Sequence, residues 1–254
     1  MFASDKRQLG WLRTCAATAT DLLFPPACVA CGTEIEYLPG AVELCATCDA
    51  SLAGERRDAC QRCAMFCSEA DLAKGDCPNC RDRRIRFREA RALGSYEGFL
   101  RSAVLKSKHA AGESLAKALG QRLAEQLESQ PFASLPTLIA PVPMHWAKRL
   151  WRGANGVEVM AAAVARRLGL RLAPGLLVCR RLLRKQSLLT PAERRKNVRD
   201  AFRASRRWKI NGQTVLLIDD VMTTGATAEE AAKALLAAGA AAVCVATVAR
   251  SSSP

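Results

Sequence analysis

The chain has 254 residues, half of them hydrophobic, and a formal net charge of +14 at pH 7. This length favours one α/β domain with a small additional module and a substantial hydrophobic core. No apolar stretch reaches the roughly 18 uncharged residues that a transmembrane helix requires. Residues 1–24 lack the apolar segment of a signal peptide and favour a short amphipathic helix. We therefore expect a cytoplasmic protein.

Eight of the twelve cysteines form two copies of one repeat, in which a second C-x2-C pair follows the first after 13 residues. The second copy lies 32 residues after the first, and the positions are Cys28, Cys31, Cys45, Cys48, Cys60, Cys63, Cys77 and Cys80. Four thiolates complete a tetrahedral zinc site and leave no open position for catalysis. The spacing therefore predicts two structural Zn2+ ions in a double zinc ribbon over residues 25–85. Disulfides are the alternative, which a chain without a secretion signal disfavours.

The Cys-rich segment permits two arrangements of its sites. Either each repeat closes its own site, or the two repeats exchange ligands and brace one another. Cys67 lies four residues after Cys63 and can replace a neighbouring ligand. Cys15, Cys179 and Cys244 lie in apolar surroundings, which is typical of small core residues.

Residues 90–254 alternate between strand and helix patterns. We predict strands over 90–97, 138–143, 176–179, 213–218 and 241–248, and helices over 99–108, 113–128, 157–168 and 228–238. Residues 180–197 form a long polar and basic stretch, which we interpret as a loop. Alternation of this kind predicts a parallel, doubly wound α/β sheet.

Positive charge is concentrated between Met144 and Ile210, where 18 Lys or Arg residues accompany three acidic residues. This segment carries a net charge of +15, and the rest of the chain carries −1. One small anionic ligand does not need so many cations, so we infer a polyanionic partner, with single-stranded DNA as the favoured class. Aromatic residues that stack on bases are few here. The alternative is a basic surface without a specific partner.

The ten residues from Ile218 to Thr227, IDDVMTTGAT, are the most informative part of the chain. They lie between an apolar strand and an alanine-rich helix, where open α/β sheets bind ligands. The N–H groups at a helix N-terminus favour a phosphate, and the adjacent carboxylates can accept hydrogen bonds from a vicinal diol. The segment therefore predicts a ribose 5-phosphate site. The alternative is an ordinary turn with a Thr cap and two solvated Asp residues.

This segment resembles the loop that binds 5-phosphoribosyl diphosphate (PRPP) in type I phosphoribosyltransferases. Further segments, in the same order, are similar to the ComF/GntX proteins associated with DNA uptake and competence. These segments are LFPP at 23–26, YEG at 96–98, PVPMH at 141–145, RGAN at 152–155, QSLL at 186–189, ERRKNV at 193–198 and AF at 201–202. The resemblance covers nearly the whole chain. It implies a type I phosphoribosyltransferase-like parallel sheet with helices on both faces over residues 90–254, preceded by the double zinc ribbon.

The resemblance also implies roles for individual residues. Asp219 and Asp220 would hold the ribose hydroxyls, and the 5′-phosphate would lie on Thr223, Thr224, Gly225, Ala226 and Thr227. Mg2+ would bind together with PRPP. The loop at Pro143 would hold pyrophosphate, with Arg149 and Arg152 as basic neighbours. The 180–197 stretch resembles the loop that closes over PRPP, with Gln186, Arg194 and Asn197 as candidate contacts.

The chain departs from the family pattern in two places. It reads Gly153-Ala154-Asn155-Gly156 where related chains commonly read Gly-Phe-Asn-Gln, and Lys106-Ser107-Lys108 where they commonly read Lys-Tyr-Arg.

The sequence is compatible with two functions. One is a protein that binds PRPP or a ribose 5-phosphate ligand and acts in DNA uptake, with single-stranded DNA and uptake proteins as partners. The alternative is an active transferase that moves phosphoribosyl from PRPP to an unknown base or amine.

Overall fold

The computed structural model describes residues 25–36, 42–53, 58–68, 70, 77, 79–81, 83–144, 155–184 and 189–251. The chain divides after Asp49 into two compact units. The amphipathic helix expected over residues 1–24 lies outside the described residues. Within the described ranges, no helix has the length and apolar character that crossing a membrane requires.

The two Cys-rich repeats have the same backbone hydrogen bonds. Cys28 N–H donates to the Thr33 carbonyl at 2.8 Å, and Cys60 N–H donates to the Met65 carbonyl at 2.8 Å. Each turn is closed by one antiparallel bridge, at Ala27–Glu34 and at Ala59–Phe66. Helix α1 (Ala46–Ala53) begins at the second C-x2-C pair of the first repeat. The sequence repeat is therefore a structural repeat.

In the described part of the chain, five parallel strands form the central sheet: β1 (Glu89–Ser95), β2 (Leu138–Pro141), β3 (Arg171–Leu172), β6 (Thr214–Met222) and β7 (Ala242–Arg250). Their spatial order is β1-β7-β6-β2-β3. A separate antiparallel pair is formed by β4 (Leu177–Cys179) and β5 (Phe202–Ala204). Every residue of β7 is buried, as expected for a central strand of a parallel sheet with both faces covered.

The helices of this domain that the structure describes are α2 (Gly98–Lys106), α3 (Glu113–Ser129), α4 (Gly156–Leu168), α5 (Pro191–Val198) and α6 (Ala226–Ala237). Val215 and Leu217 of β6 share a buried cluster with the alanine-rich face of α6. Leu216 and Ile218 alternate with them, are equally buried and point to the opposite face, where α3 and α4 contact the sheet. The predicted parallel sheet with helices on both faces is confirmed.

Strand β6 is longer than its apolar residues predict. It pairs with β7 as far as Met222, opposite Arg250, so Asp219 and Asp220 belong to the strand instead of following it. The long apolar neighbour β7 supplies the pairing that extends β6 through these polar residues. Both carboxylates are therefore attached to regular, hydrogen-bonded backbone.

The interpretation of residues 180–197 as one loop is wrong for its second half, which forms α5. Thr190 and Glu193 form a capping box at its start, in which each side chain accepts a hydrogen bond from the backbone N–H of the other. Pro191 occupies the first helical position, where a missing N–H costs nothing. The sequence TPAE carries this signal, but the polar composition of the segment obscured it.

Candidate functional site

The acidic pair and the loop predicted to hold pyrophosphate lie at the same edge of the sheet. Pro141 of β2 is paired with Ile218 of β6, and Val142 N–H donates to the Ile218 carbonyl at 2.8 Å. Pro143 therefore leaves β2 beside the point at which Asp219 and Asp220 follow in β6. Because both strands are parallel, this is the carboxyl edge, at which open α/β sheets bind ligands.

The two carboxylates are held by backbone and by one cation. Asp219 Oδ1 accepts the Asp220 N–H at 2.9 Å, and Asp220 Oδ1 accepts the Val221 N–H at 2.6 Å. Asp220 Oδ2 lies 2.8 Å from Lys108 Nζ. Burial, together with the adjacent Asp220 charge, raises the pKa of Asp219 well above its ordinary value. The pair is therefore preorganised, with further carboxylate lone pairs available to a ligand.

Sequence reasoning identified Lys108 only as a departure from the family pattern. Lys108 follows α2, far from the acidic pair in the chain, and the fold brings its ammonium group to Asp220. No local sequence signal joins these two positions. An ion pair of this kind becomes visible only when the sheet and the α2 turn are placed together.

The turn between β6 and α6 has the shape expected of a phosphate site. Gly225 is the N-cap residue of α6 with φ +78°, a left-handed conformation that favours glycine. The buried Thr224 accepts the Ala226 N–H on its Oγ1 at 3.3 Å, and Glu229 N–H closes the first helical turn on the Gly225 carbonyl at 2.9 Å. Thr223 and Thr227 are half-buried. The positive end of the α6 dipole lies at this turn.

Two arginines bind the carbonyl oxygens of this turn. Arg250 of β7, only 1% exposed, donates to the carbonyls of Met222 and Thr223. Arg83 donates to the Thr224 carbonyl at 2.9 Å and pairs with Glu229 at 2.7 Å. The C=O and N–H of one peptide point in opposite directions, so these bonds turn the N–H groups that follow Thr223 and Thr224 away from the arginines. Sequence reasoning missed both arginines, because nothing local to either one indicates this contact.

The eight predicted metal ligands form two clusters, and in each cluster all four sulfurs lie within 4.8 Å of one another. The clusters are Cys28, Cys31, Cys45 and Cys48, and Cys60, Cys63, Cys77 and Cys80. Sulfur pairs are 3.8 Å apart in the first cluster, and 3.6 and 3.7 Å apart in the second. Ligands about 2.3 Å from a tetrahedral Zn2+ are separated by about 3.8 Å, so both clusters fit zinc. Each repeat therefore provides all four ligands of its own site, and the arrangement in which the repeats share ligands is wrong.

The cysteine pKa values fit sites that require a cation. Burial raises the pKa of Cys80 to about 12, whereas the hydrogen bond from Cys60 lowers the pKa of Cys63 to about 4. Four thiolates cannot coexist in such surroundings without positive charge, which Zn2+ supplies. Cys67 Sγ lies 3.6 Å from Cys77 Sγ, beside the second cluster and outside its four ligands. The sulfur geometry supports structural zinc at both clusters.

The second repeat packs directly on the sheet domain. Ala64 is fully buried and belongs to the same core cluster as Val245 of β7. Ala90 N–H of β1 donates to the Gln61 carbonyl at 2.9 Å, and Arg250 Nε donates to the Cys63 carbonyl at 3.1 Å. The second cluster and the turn at Thr223 are therefore joined by one buried guanidinium group.

The two candidate contact residues on α5, Arg194 and Asn197, form hydrogen bonds to backbone groups of the chain. Arg194 Nε donates to the Leu189 carbonyl at 3.1 Å. Asn197 exchanges two hydrogen bonds with the backbone of Arg184, both of 3.1 Å. Gln186, Arg149 and Arg152 lie outside the described residues. The structure thus brings the acidic pair, Pro143 and the Thr-Gly turn together, whereas Arg194 and Asn197 form hydrogen bonds to the backbone of Leu189 and Arg184.

Exposed cations cover the segment around β4, α5 and β5. Of its described residues, the exposed ones are Arg180, Arg181, Arg184, Arg195, Lys196, Arg199, Arg203, Arg206, Arg207 and Lys209. On β5 the alternation is clear, because Phe202 is buried while Arg203 is exposed opposite Val178. Trp208 has the Arg171 guanidinium 4.9 Å from its ring centroid. This segment is therefore a strongly positive surface with little free aromatic area.

Comparison with known proteins finds a matching family for part of each module. Residues 154–254 match the phosphoribosyl transferase domain, and residues 19–81 match the double zinc ribbon domain. The DNA utilization protein YhgH of Escherichia coli K12 is 26% identical over 226 residues, covering 87% of this chain and 96% of the relative. YhgH of Salmonella typhimurium is 27% identical over 204 residues, covering 79% of this chain and 87% of the relative.

Solved structures with partial similarity include two enzymes of phosphoribosyl chemistry. The glutamine PRPP amidotransferase of B. subtilis is 24% identical with a TM-score of 0.36, over 54% of this chain and 26% of that one. A hypoxanthine phosphoribosyltransferase of Staphylococcus aureus is 14% identical with a TM-score of 0.32, over 53% of this chain and 62% of that one. The chain thus spans about a quarter of the amidotransferase and less than two thirds of the second enzyme.

Proposed function

We propose that this chain, a member of the ComF/GntX family that joins a double zinc ribbon to a phosphoribosyl transferase domain, binds PRPP or another ribose 5-phosphate ligand. The observation that carries the proposal is the position of Asp219 and Asp220, near the carboxyl end of β6 and two residues before the turn into α6. The two carboxylates accept hydrogen bonds from the ribose 2′- and 3′-hydroxyls. The 5′-phosphate lies at the N-terminus of α6.

The orientation of the turn supports the phosphate assignment. The carbonyls of Thr223 and Thr224 are bound by Arg250 and Arg83, so the N–H groups of the same two peptides point the other way. These N–H groups and the helix dipole provide a positive site for a phosphate. Glu229 in the first turn of α6 does not oppose this, because Arg83 neutralises it at 2.7 Å.

Mg2+ accompanies the diphosphate of PRPP in this proposal. The diphosphate group of PRPP offers oxygen atoms, which are the hard ligands that Mg2+ prefers. The cation neutralises the diphosphate group when PRPP is bound. The residues of the chain orient the sugar, since Asp219 and Asp220 are fixed by backbone N–H groups.

The biological role that we propose is in DNA uptake, with contact to single-stranded DNA. Two observations support it: the relatives are named DNA utilization proteins, and ten cations around β4, α5 and β5 are exposed. Cations spread over a surface bind a phosphate backbone without reading its sequence. We place the protein in the cytoplasm, where reducing conditions keep zinc-binding thiols available.

Transfer of phosphoribosyl to a base or amine is the second candidate, and the intact acidic pair favours it. In that reaction the bond from the anomeric carbon to the diphosphate oxygen breaks, and its electron pair leaves with the diphosphate. The acceptor nitrogen forms the new bond to the same carbon. Asp219 and Asp220 stabilise the positive charge that develops on the sugar.

Calorimetric titration of PRPP with Mg2+ into the zinc-loaded protein tests the proposal. The double variant Asp219→Asn/Asp220→Asn keeps the side-chain shape and is expected to weaken binding by roughly a hundredfold, since it removes charged hydrogen-bond acceptors. Asp200→Asn is the control, because Asp200 is exposed and pairs with Lys233. Equal affinity of the double variant and the control protein would refute the ribose 5-phosphate site.

A further inference from the structure

Lys108 supplies a cation to the acidic pair from outside the segments that form the ribose-phosphate site. Its Nζ lies 2.8 Å from Asp220 Oδ2, and the two side chains are only 27% and 21% exposed. An ammonium group has three N–H donors, and one is used by Asp220. The other two can donate to an oxygen of a ligand that Asp220 holds.

The turn that carries Lys108 is held rigidly. Ser107 is 2% exposed, and its hydroxyl donates to the Val104 carbonyl at 2.9 Å. A Cβ atom on Gly156, the first residue of α4, would lie 2.6 Å from the Ser107 carbonyl oxygen. A Cβ atom on Gly112 would meet the Lys106 carbonyl oxygen even more closely. Backbone therefore packs closely against this turn from two sides and fixes the position from which the Lys108 side chain reaches Asp220.

Lys108 balances the charge of Asp220 without a divalent cation. Burial lowers the pKa of Lys108, but the attraction of Asp220 outweighs it, and Tyr96 and Asp219 add to the increase. Asp220 and Lys108 form an ion pair, with the ammonium nitrogen 2.8 Å from the carboxylate oxygen. A divalent cation gains little from a carboxylate whose negative charge is already compensated.

We propose that Lys108 is the resident counter-ion of the diol site, so that a ribose 5-phosphate ligand binds there without a divalent cation. The ammonium group neutralises Asp220. It also donates a hydrogen bond to the oxygen of the ribose hydroxyl whose O–H donates to Asp220. Mg2+ is then needed only for the diphosphate of PRPP. This inference rests on the proposed ribose 5-phosphate site and concerns how that site is charged.

Calorimetric titration of ribose 5-phosphate, with and without added Mg2+, tests the inference. The buffer contains no chelator, so that the zinc clusters stay loaded. Wild-type affinity should change by less than about threefold on addition of Mg2+. Lys108→Met should lose roughly tenfold to a hundredfold in Mg2+-free buffer, because it loses a charged hydrogen-bond donor. Lys106→Met removes the same charge from the exposed end of α2 and should retain wild-type affinity.

Three further measurements separate the effect of the Lys108 charge from an effect on folding. Lys108→Arg keeps a cation next to Asp220 and should retain most of the Mg2+-free affinity, and thermal unfolding should show that each variant is folded. Mn2+, followed by its paramagnetic resonance signal, should bind at the acidic pair of Lys108→Met and not at that of the wild-type protein. Mn2+ binding that is equal in both proteins would contradict the counter-ion role.

The outcomes distinguish this inference from the function on which it rests. Failure of the wild-type protein to bind ribose 5-phosphate in either buffer would refute the ribose site itself. Binding that requires Mg2+ would keep the ribose site and overturn the role of Lys108. Undiminished Mg2+-free binding by a folded Lys108→Met would overturn it as well.

Discussion

Arg250, the last residue of the central strand β7, donates its Nε–H to the backbone carbonyl oxygen of Cys63 at 3.1 Å. The same guanidinium group donates to the carbonyls of Met222 and Thr223 through Nη1. One buried side chain therefore connects the second zinc cluster to the turn that we propose to hold phosphate. This contact makes the second cysteine cluster part of the architecture of the proposed ligand site.

Loss of zinc from the second cluster should weaken ligand binding. Cys77→Ser removes one ligand of that cluster, and the Cys63 carbonyl that supports Arg250 loses its fixed position. We expect zinc content to fall to about one ion per protein and ribose 5-phosphate affinity to fall about tenfold, the loss of one charged hydrogen bond. Metal analysis and calorimetry measure both quantities.

The matched control is Cys45→Ser in the first cluster, which lies in the other compact unit. It should lose zinc to the same extent and keep its affinity for ribose 5-phosphate. Equal losses of affinity in the two variants would show that the effect is general destabilisation and not the Arg250 contact.

Arg250 itself should contribute strongly to stability. Arg250→Met leaves several buried carbonyl oxygens without their donor, and such losses cost about 3 kcal/mol or more in the free energy of unfolding. Arg250→Lys should recover only part of this, because one ammonium group cannot reach the carbonyls of Cys63 and Thr223 with the geometry of a planar guanidinium. Chemical denaturation measures the difference. A decrease below about 1 kcal/mol in Arg250→Met would contradict this role.

Asp219, which we propose to bind the ligand, should lower the stability of the folded protein to an extent that depends on pH. The pKa of Asp219 is raised in the folded protein by burial and by Asp220, so folding favours its protonated form. Below the ordinary pKa of an aspartate the carboxyl is protonated in both states and has no effect. As pH rises through the raised pKa, the folded protein loses stability, because the unfolded chain ionises more easily.

Asp219→Asn should therefore raise the melting temperature at neutral pH by a few degrees, and the difference should shrink as the pH falls towards 4. Asp220→Asn is the comparison, because it breaks the ion pair with Lys108 and should not stabilise the protein. Thermal unfolding of the three proteins between pH 4 and 8 measures this. A stabilisation that is the same at every pH would show that ionisation of Asp219 is not its cause.

How much of this site the sequence predicts depends on whether each signal is local. The acidic pair, the Thr-Gly turn and the cysteine spacing lie within short segments, and their positions in the fold follow from the strand and helix patterns around them. Lys108, Arg83 and Arg250 act on residues far away in the chain, so no spacing rule finds them. The extension of β6 through Asp220 also depends on a distant part of the chain. Its polar residues do not predict a strand, but pairing with β7 keeps them in one.

Binding of single-stranded DNA should depend on the exposed cations of α5. Arg195→Glu/Lys196→Glu should weaken binding of an oligonucleotide and reduce the slope of log affinity against log salt by about 1.4, which corresponds to two lost phosphate contacts. Fluorescence anisotropy at several salt concentrations measures the slope.

The control for this prediction is Arg101→Glu/Lys106→Glu on α2, which produces the same change in net charge at two exposed positions. It should retain the wild-type slope. An equal decrease in the slope for both variants would mean that DNA binding depends on the net charge of the protein and not on contact with the surface around α5.

An experimental structure of the zinc-loaded protein with ribose 5-phosphate would test the proposed ligand site directly. We predict the phosphate at the N-terminus of α6, against the turn at Thr224 and Gly225, and the two ribose hydroxyls within hydrogen-bond distance of Asp219 and Asp220. A ligand that lies elsewhere, such as on the basic surface around α5, or a bound phosphate whose ribose does not reach the acidic pair, would contradict it.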